Sequence, residues 1–144
     1  HDADSGFILW SENLDPAAGS KAKAEGYRLI SGFSYYDYKH ADSACFNRNI
    51  LCGGFLKSDL PVTASLETPD TPRFAYIHKN VRLRNLLAIL NAFMPNSATY
   101  FNAGQELSEI QPMNLGLDNN ESGRYVLDKN DPEYGKLAFF DSTC

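Results

Sequence analysis

Apolar and polar positions along this chain fall into blocks whose lengths and spacings alternate between strand-like and helix-like. Gly6 to Ser11 is a short apolar run, Phe7-Ile8-Leu9-Trp10 at its centre, with no polar alternation, which is the pattern of a strand covered on both faces. Glu12-Asn13-Leu14-Asp15-Pro16 breaks the run, and Ala17 to Glu25 reads as a helix with Asp15 as N-cap, Pro16 at its first position and Gly26 as its stop. Tyr27 to Tyr36 is a second β-rich run. Asp37 to Lys57 is mixed, with a helix expected inside Ala44 to Leu56 and interrupted at Gly53-Gly54. Leu60 to Leu66 is a third strand, and Pro69 and Pro72 on either side of Asp70 impose an irregular turn after it. Val81, Leu83, Leu86, Leu87, Leu90, Phe93 and Met94 recur at helical spacing, and Pro95-Asn96-Ser97 ends that helix. Ala98 to Ala103 is a fourth strand, and Leu107 to Cys144 is a long polar loop segment closing on an apolar Leu137 to Phe140.

Strands separated by helices imply parallel pairing through right-handed crossovers, so the fold class is α/β. Four strands with three helices, the first strand close to His1 and the last residues resembling a helix N-cap at Asp141-Ser142-Thr143, predict half of an eight-stranded (β/α)8 TIM barrel. A whole barrel takes about 250 residues and this chain has 144, so residues 1–144 are expected to form one half-barrel with no second domain.

Composition narrows the class without choosing a function. The net charge of −5 argues against a nucleic-acid backbone as partner, since phosphate binding needs a basic face. The longest strongly apolar stretch, Leu86 to Met94, is too short to span a bilayer, so no membrane partner is expected. His1-Asp2-Ala3-Asp4 lacks the basic-then-apolar order of a leader. The three cysteines, Cys45, Cys52 and Cys144, are odd in number and form no C-x-x-C, which points to reduced thiols in a cytoplasmic protein; a Cys45–Cys52 bridge is the alternative.

In parallel barrels the working residues lie at the C-terminal ends of the strands. The residues just after the four apolar runs are Glu12, Tyr36-Asp37, Asp70 and Gln105-Glu106, and a carboxylate stands at each end. Glycosidic bond cleavage needs two carboxyl groups, and positive charge developing on the sugar favours a further one nearby. Glu12 follows Ile8-Leu9-Trp10, apolar neighbours of the kind that favour a protonated acid. Each of these carboxylates has a structural reading as well, as the N-cap of a following helix, and Asp15 is the best pure cap. Tyr35, Tyr36 and Tyr38 read equally as packing or as sugar-stacking surfaces. His1, His40 and His78 have no metal-ligand spacing, Gly53-Gly54 lacks the rest of a phosphate loop, and no G-x-S-x-G occurs, so no metal and no cofactor is expected.

Three segments together resemble the α-amylase superfamily, glycoside hydrolase family 13. Phe7-Ile8-Leu9-Trp10-Ser11-Glu12 is similar to the strand end that carries that family's general acid/base Glu. Glu67-Thr68-Pro69-Asp70-Thr71-Pro72-Arg73 resembles its later Asn-His-Asp motif, and Thr99 to Glu106 resembles its eighth strand with a Tyr-Gly-Gln-Glu ending. The matches occur in the family's order and cover about residues 7–118. The resemblance implies a retaining mechanism with Glu12 as acid/base and Asp70 as transition-state stabiliser. It implies substrate contacts from Tyr36, Asp37, Thr68, Arg73, Gln105 and Glu106, and an α-1,4-glucan or maltooligosaccharide as substrate.

The family's nucleophile, an Asp ending the fourth barrel strand, would precede His1. The N-terminal half of the barrel is therefore the expected partner, and the chain by itself is expected to be inactive. Thr68-Pro69 replaces the family's Asn-His, and Pro cannot donate to sugar hydroxyls as that His does. A Thr-Pro-Asp turn, an aromatic strand at Phe33 to Tyr38 and the stretch Gln111-Pro112-Met113-Asn114-Leu115-Gly116-Leu117 look more like the maltosyltransferase-like branch, whose members move maltosyl units between glucans. An α-amylase-type hydrolase, a non-catalytic carbohydrate-binding relative of the barrel and an unrelated small α/β domain remain as alternatives.

Overall fold

The computed structural model describes residues 6–13, 15, 18–31, 50–115, 121–139 and 141. Tyr36 and Asp37, with Tyr35, Tyr38, Cys45, Cys144, Pro16 and the helix-start residues Ser142 and Thr143, lie outside the described residues.

Strands β1 (Trp10–Glu12), β2 (Leu29–Ser31), β3 (Val62–Ala64) and β4 (Ser97–Thr99) form one sheet in the order β1-β2-β3-β4. Every pairing is parallel, with Trp10 opposite Leu29, Ile30 opposite Val62, and Val62 opposite Ser97. The parallel α/β architecture expected from the alternating blocks is therefore present. The strands are shorter than the apolar runs that predicted them, because the runs continue past the ladder: the Leu9 carbonyl accepts from the Arg28 N–H at 2.9 Å, while Phe7 and Ile8 are exposed.

Helix α1 (Gly19–Ala24) lies between β1 and β2, and helices α2 (Phe74–Ile77) and α3 (Val81–Ala92) lie between β3 and β4. Alternate strand residues Ile30, Val62 and Ala64 join Ala22, Phe55, Leu60, Leu66, Phe74 and Leu87 in one apolar cluster, so the core sits between the sheet and its helices.

Local chemistry explains where the helices begin and end. The helix predicted to start at an Asp15 cap starts instead at Gly19; the Asp15 carbonyl accepts the Ala18 N–H in a preceding turn, and Ala18 supplies no side-chain cap. Gly19 is pressed close to Ser58, and the Ser20 hydroxyl donates to Asp59 at 2.6 Å, which ties the helix start to the segment before β3. Gly26 ends α1 as expected. It adopts φ +91°, and the Gly26 and Tyr27 N–H groups return to the Lys23 and Ala22 carbonyls, a closure that a side chain at this φ would strain.

Gly53-Gly54 does not interrupt a helix: a π-helical segment, Ile50–Phe55, runs through both glycines and buries Phe55 completely. Helix α3 is capped by Asn80, whose Oδ1 accepts from the N–H groups of Arg82 and Leu83. Its apolar residues divide between two faces. Leu83, Leu87 and Ala88 pack on the core, whereas Leu86, Ile89, Leu90 and Phe93 are exposed. Among the described residues no helix is long and apolar enough to cross a membrane, and Cys52 is a free, exposed thiol.

Candidate functional site at the carboxyl ends of the strands

Parallel strands bring their carboxyl ends to one side of the sheet, where Glu12 ends β1 and where the chain leaves β3 toward Asp70 and β4 toward Gln105-Glu106. The rim is organised around a buried ion pair. Arg73 is 1% exposed and Glu67 equally so, and Arg73 Nη1 donates to Glu67 Oε1 at 2.7 Å. The remaining Arg73 donors are largely spent on main chain: Nη1 also reaches the Ala103 carbonyl and Nε the Gln111 carbonyl, both at 2.7 Å. Nη2 is buried with no hydrogen-bond partner among the described residues, and the guanidinium lies 5.9 Å from the centre of the Phe139 ring. The other Glu67 oxygen accepts from the Phe74 N–H at 2.6 Å, which starts α2, and Asn102 donates to Oε1. Arg73 was singled out by sequence as a sugar contact; in the structure its guanidinium faces protein groups that lock the β3 and β4 ends together.

Asp70 projects from the proline-flanked turn. The Asp70 N–H donates to the Thr68 hydroxyl at 3.2 Å, and the Thr68 N–H donates to the Thr71 hydroxyl at 2.8 Å. Thr68, also expected to meet substrate, thus spends its hydroxyl on shaping this turn. Among the described residues the half-buried Asp70 carboxylate accepts one hydrogen bond, from Asn114 Nδ2 at 2.7 Å.

Glu12 is the last residue of β1 and exposed, and its carboxylate has no hydrogen bond or ion pair with the described residues. Trp10 shares its face of the strand by alternation, and Trp10 Nε1 donates to Ser31 Oγ of β2 at 2.9 Å. The Trp10 ring also meets the Tyr100 ring, centroid to centroid 6.3 Å, although Tyr100 follows β4 at the far edge of the sheet. Three strand spacings amount to about 14 Å in a flat sheet, so the outer strands lean toward each other over this face and make it concave. Tyr100 also senses the rim. Burial, helped by the negative charges of Glu67 and Asp70 and opposed by Arg73, raises its phenol above the usual value of 10.0. A ring contact and a field therefore link Trp10, Tyr100 and Asp70, and Glu12 shares the strand face of Trp10 by alternation.

Gln105 and Glu106 turn away from this group. They follow Gly104 (φ +90°) in a short 3-10 helix and line a cleft with Phe74, Arg84, Ala88 and Phe101 against α2 and α3. That cleft offers about 110 Å³, well below the ~300 Å³ where ligand pockets begin. No group of three His, Cys, Asp or Glu side chains among the described residues could hold a metal ion.

The sequence had not marked Glu67, Asn102, Tyr100 or Asn114 as parts of the site. Glu67 carried a usable signal, since it stands six residues before Arg73 across a turn braced by two prolines. Asn114 carried none, being 44 residues from Asp70. No family model matches the chain, and no curated protein matches it.

Proposed function

We propose that this chain is the C-terminal half of the (β/α)8 catalytic barrel of a retaining α-glucan-active enzyme, a 4-α-glucanotransferase or maltosyltransferase of the α-amylase type. The observation that carries this reading is the sheet itself. Its four parallel strands run in sequential order and curve until Trp10 and Tyr100 meet, with Glu12 ending one strand and Asp70 following another, both strands ending on one rim. Sequential order without a reversal is the order of barrel strands, whereas a doubly wound sheet reverses at a switch point. The outer edge of β1, unpaired among the described residues and with Phe7, Ile8 and Trp10 each more than half exposed, suits continuation of the sheet by the partner half of the barrel.

In this reading Glu12 protonates the leaving glycosidic oxygen and later takes a proton from the acceptor. Asp70 stabilises positive charge on the sugar ring, and the nucleophile comes from the other half of the barrel. Pro69 beside Asp70, in place of a hydroxyl-binding His, is the feature by which the turn resembles the maltosyltransferase-like branch more than a plain hydrolase.

The test is product analysis with the intact protein and maltooligosaccharides. Longer and shorter α-linked products are expected, and Glu12→Gln should lower kcat about a thousandfold or more without changing the circular-dichroism spectrum. An intact protein that leaves these sugars unchanged, or a Glu12→Gln variant as active as the parent, would overturn the proposal.

A further inference from the structure

We infer that Asn114 is the positioning residue of Asp70. The inference rests on the reading of Asp70 as the charge-stabilising carboxylate and adds how that carboxylate is aimed. The turn around Asp70 is closed by its own main chain and threonines: the Thr71 N–H donates to the Thr68 carbonyl, and the Thr68 hydroxyl accepts the Asp70 N–H. These bonds fix the backbone and leave the carboxylate free to rotate. Asn114 removes that freedom. Its Nδ2 is the one donor to the Asp70 carboxylate among the described residues, at 2.7 Å, a short distance of the charge-assisted kind. Among the described residues the buried amide oxygen of Asn114 has no hydrogen-bond partner, so no competing contact there sets the amide orientation.

The segment that delivers Asn114 is held at several points. Glu109 Oε1 accepts the Ile110 and Gln111 N–H groups, and the Gln111 carbonyl accepts from Arg73 Nε. The Gln111 amide donates to the carbonyls of Glu133 and Lys136. The buried Glu67–Arg73 pair thus fixes the strap, the strap fixes Asn114, and Asn114 engages one Asp70 oxygen and leaves the other to face developing positive charge.

The experiment compares Asn114→Ala and Asn114→Asp in the intact protein, by steady-state kinetics on maltooligosaccharides and by crystallography. Asn114→Ala should lower kcat roughly ten- to a hundredfold with KM changed less than about threefold. Its crystal structure should show the Asp70 carboxylate turned from its present direction while the Arg73–Gln111 bond persists. Asn114→Asp keeps the shape but donates only when protonated, so its activity should rise toward acid pH relative to the parent.

A kcat within about twofold of the parent with Asp70 unmoved would refute the inference. So would a displaced strap with kcat, KM and thermal stability all impaired, which would mark Asn114 as structural. If Asp70→Asn leaves activity intact, the proposed function fails instead, and the Asp70 orientation in the Asn114→Ala crystal still decides the geometric claim.

Discussion

A guanidinium removed from water needs its charge balanced, and at Arg73 Glu67 does this while the carbonyls of Ala103 and Gln111 take further Nη1 and Nε donors. Removing one partner of such a pair leaves the other buried and uncompensated. Arg73→Met is therefore expected to cost about 3–5 kcal/mol in denaturant-induced unfolding. Adding Glu67→Gln to that variant should cost less than Glu67→Gln in the parent, because the second change removes a charge that the first has stranded. Strict additivity of the two substitutions would contradict this picture of the rim. At this scale the sequence was informative about which residues matter and less so about what they do. The turn Glu67 to Arg73 stood out through its two prolines, but the partners that bury Arg73 lie 30 and 38 residues further on, where no local pattern points to them.

Among the elements, α2 and α3 show how tertiary contacts decide what periodicity leaves open. A single turn such as Phe74–Ile77 has too few residues to display a period, and it begins where Glu67 accepts the Phe74 N–H. His78 closes that turn, edge-on to the Phe74 ring at 5.2 Å, and burial lowers its pKa from the ordinary 6.5. The unfolded chain then binds a proton at a higher pH than the folded one. The contribution of neutral His78 to stability is complete above about pH 6.5 and is lost progressively as pH falls from there toward the lowered folded value. His78→Phe, which keeps a ring beside Phe74, should flatten the decline of Tm across that window; an unchanged slope would mean that His78 does not titrate there.

The strands and α3 were readable because their apolar runs are long relative to the noise, and Gly26 was readable because only glycine suits its φ of +91°. The start of α1 was not, because contacts between Gly19, Ser20, Ser58 and Asp59 join segments almost 40 residues apart. The helical spacing of Val81 to Met94 was correct, but it concealed two faces. Leu83 and Leu87 pack inward while Leu86, Ile89 and Phe93 point to solvent, and spacing alone cannot divide one apolar stripe from two.

For the whole molecule, parallel pairing in sequential order places the ends of all four strands on one rim and bends the sheet toward the face bearing Trp10 and Tyr100. The order of strands was legible from block alternation, since consecutive parallel strands joined by helices tend to be neighbours. Curvature was not, because it depends on how side chains 90 residues apart meet across the concave face. The same curvature gives the carbohydrate reading its physical content: a proton donor on β1 and a charge-stabilising carboxylate beyond β3 must serve one sugar. A crystal structure of the intact protein with a bound maltooligosaccharide tests this most directly. The account predicts Glu12 hydrogen-bonded to a glycosidic oxygen and Asp70 to hydroxyls of the adjoining sugar ring, their carboxyl groups about 10 Å apart or less. A sugar chain seated away from both residues, or one touching Asp70 while Glu12 points to the opposite side of the sheet, would contradict it.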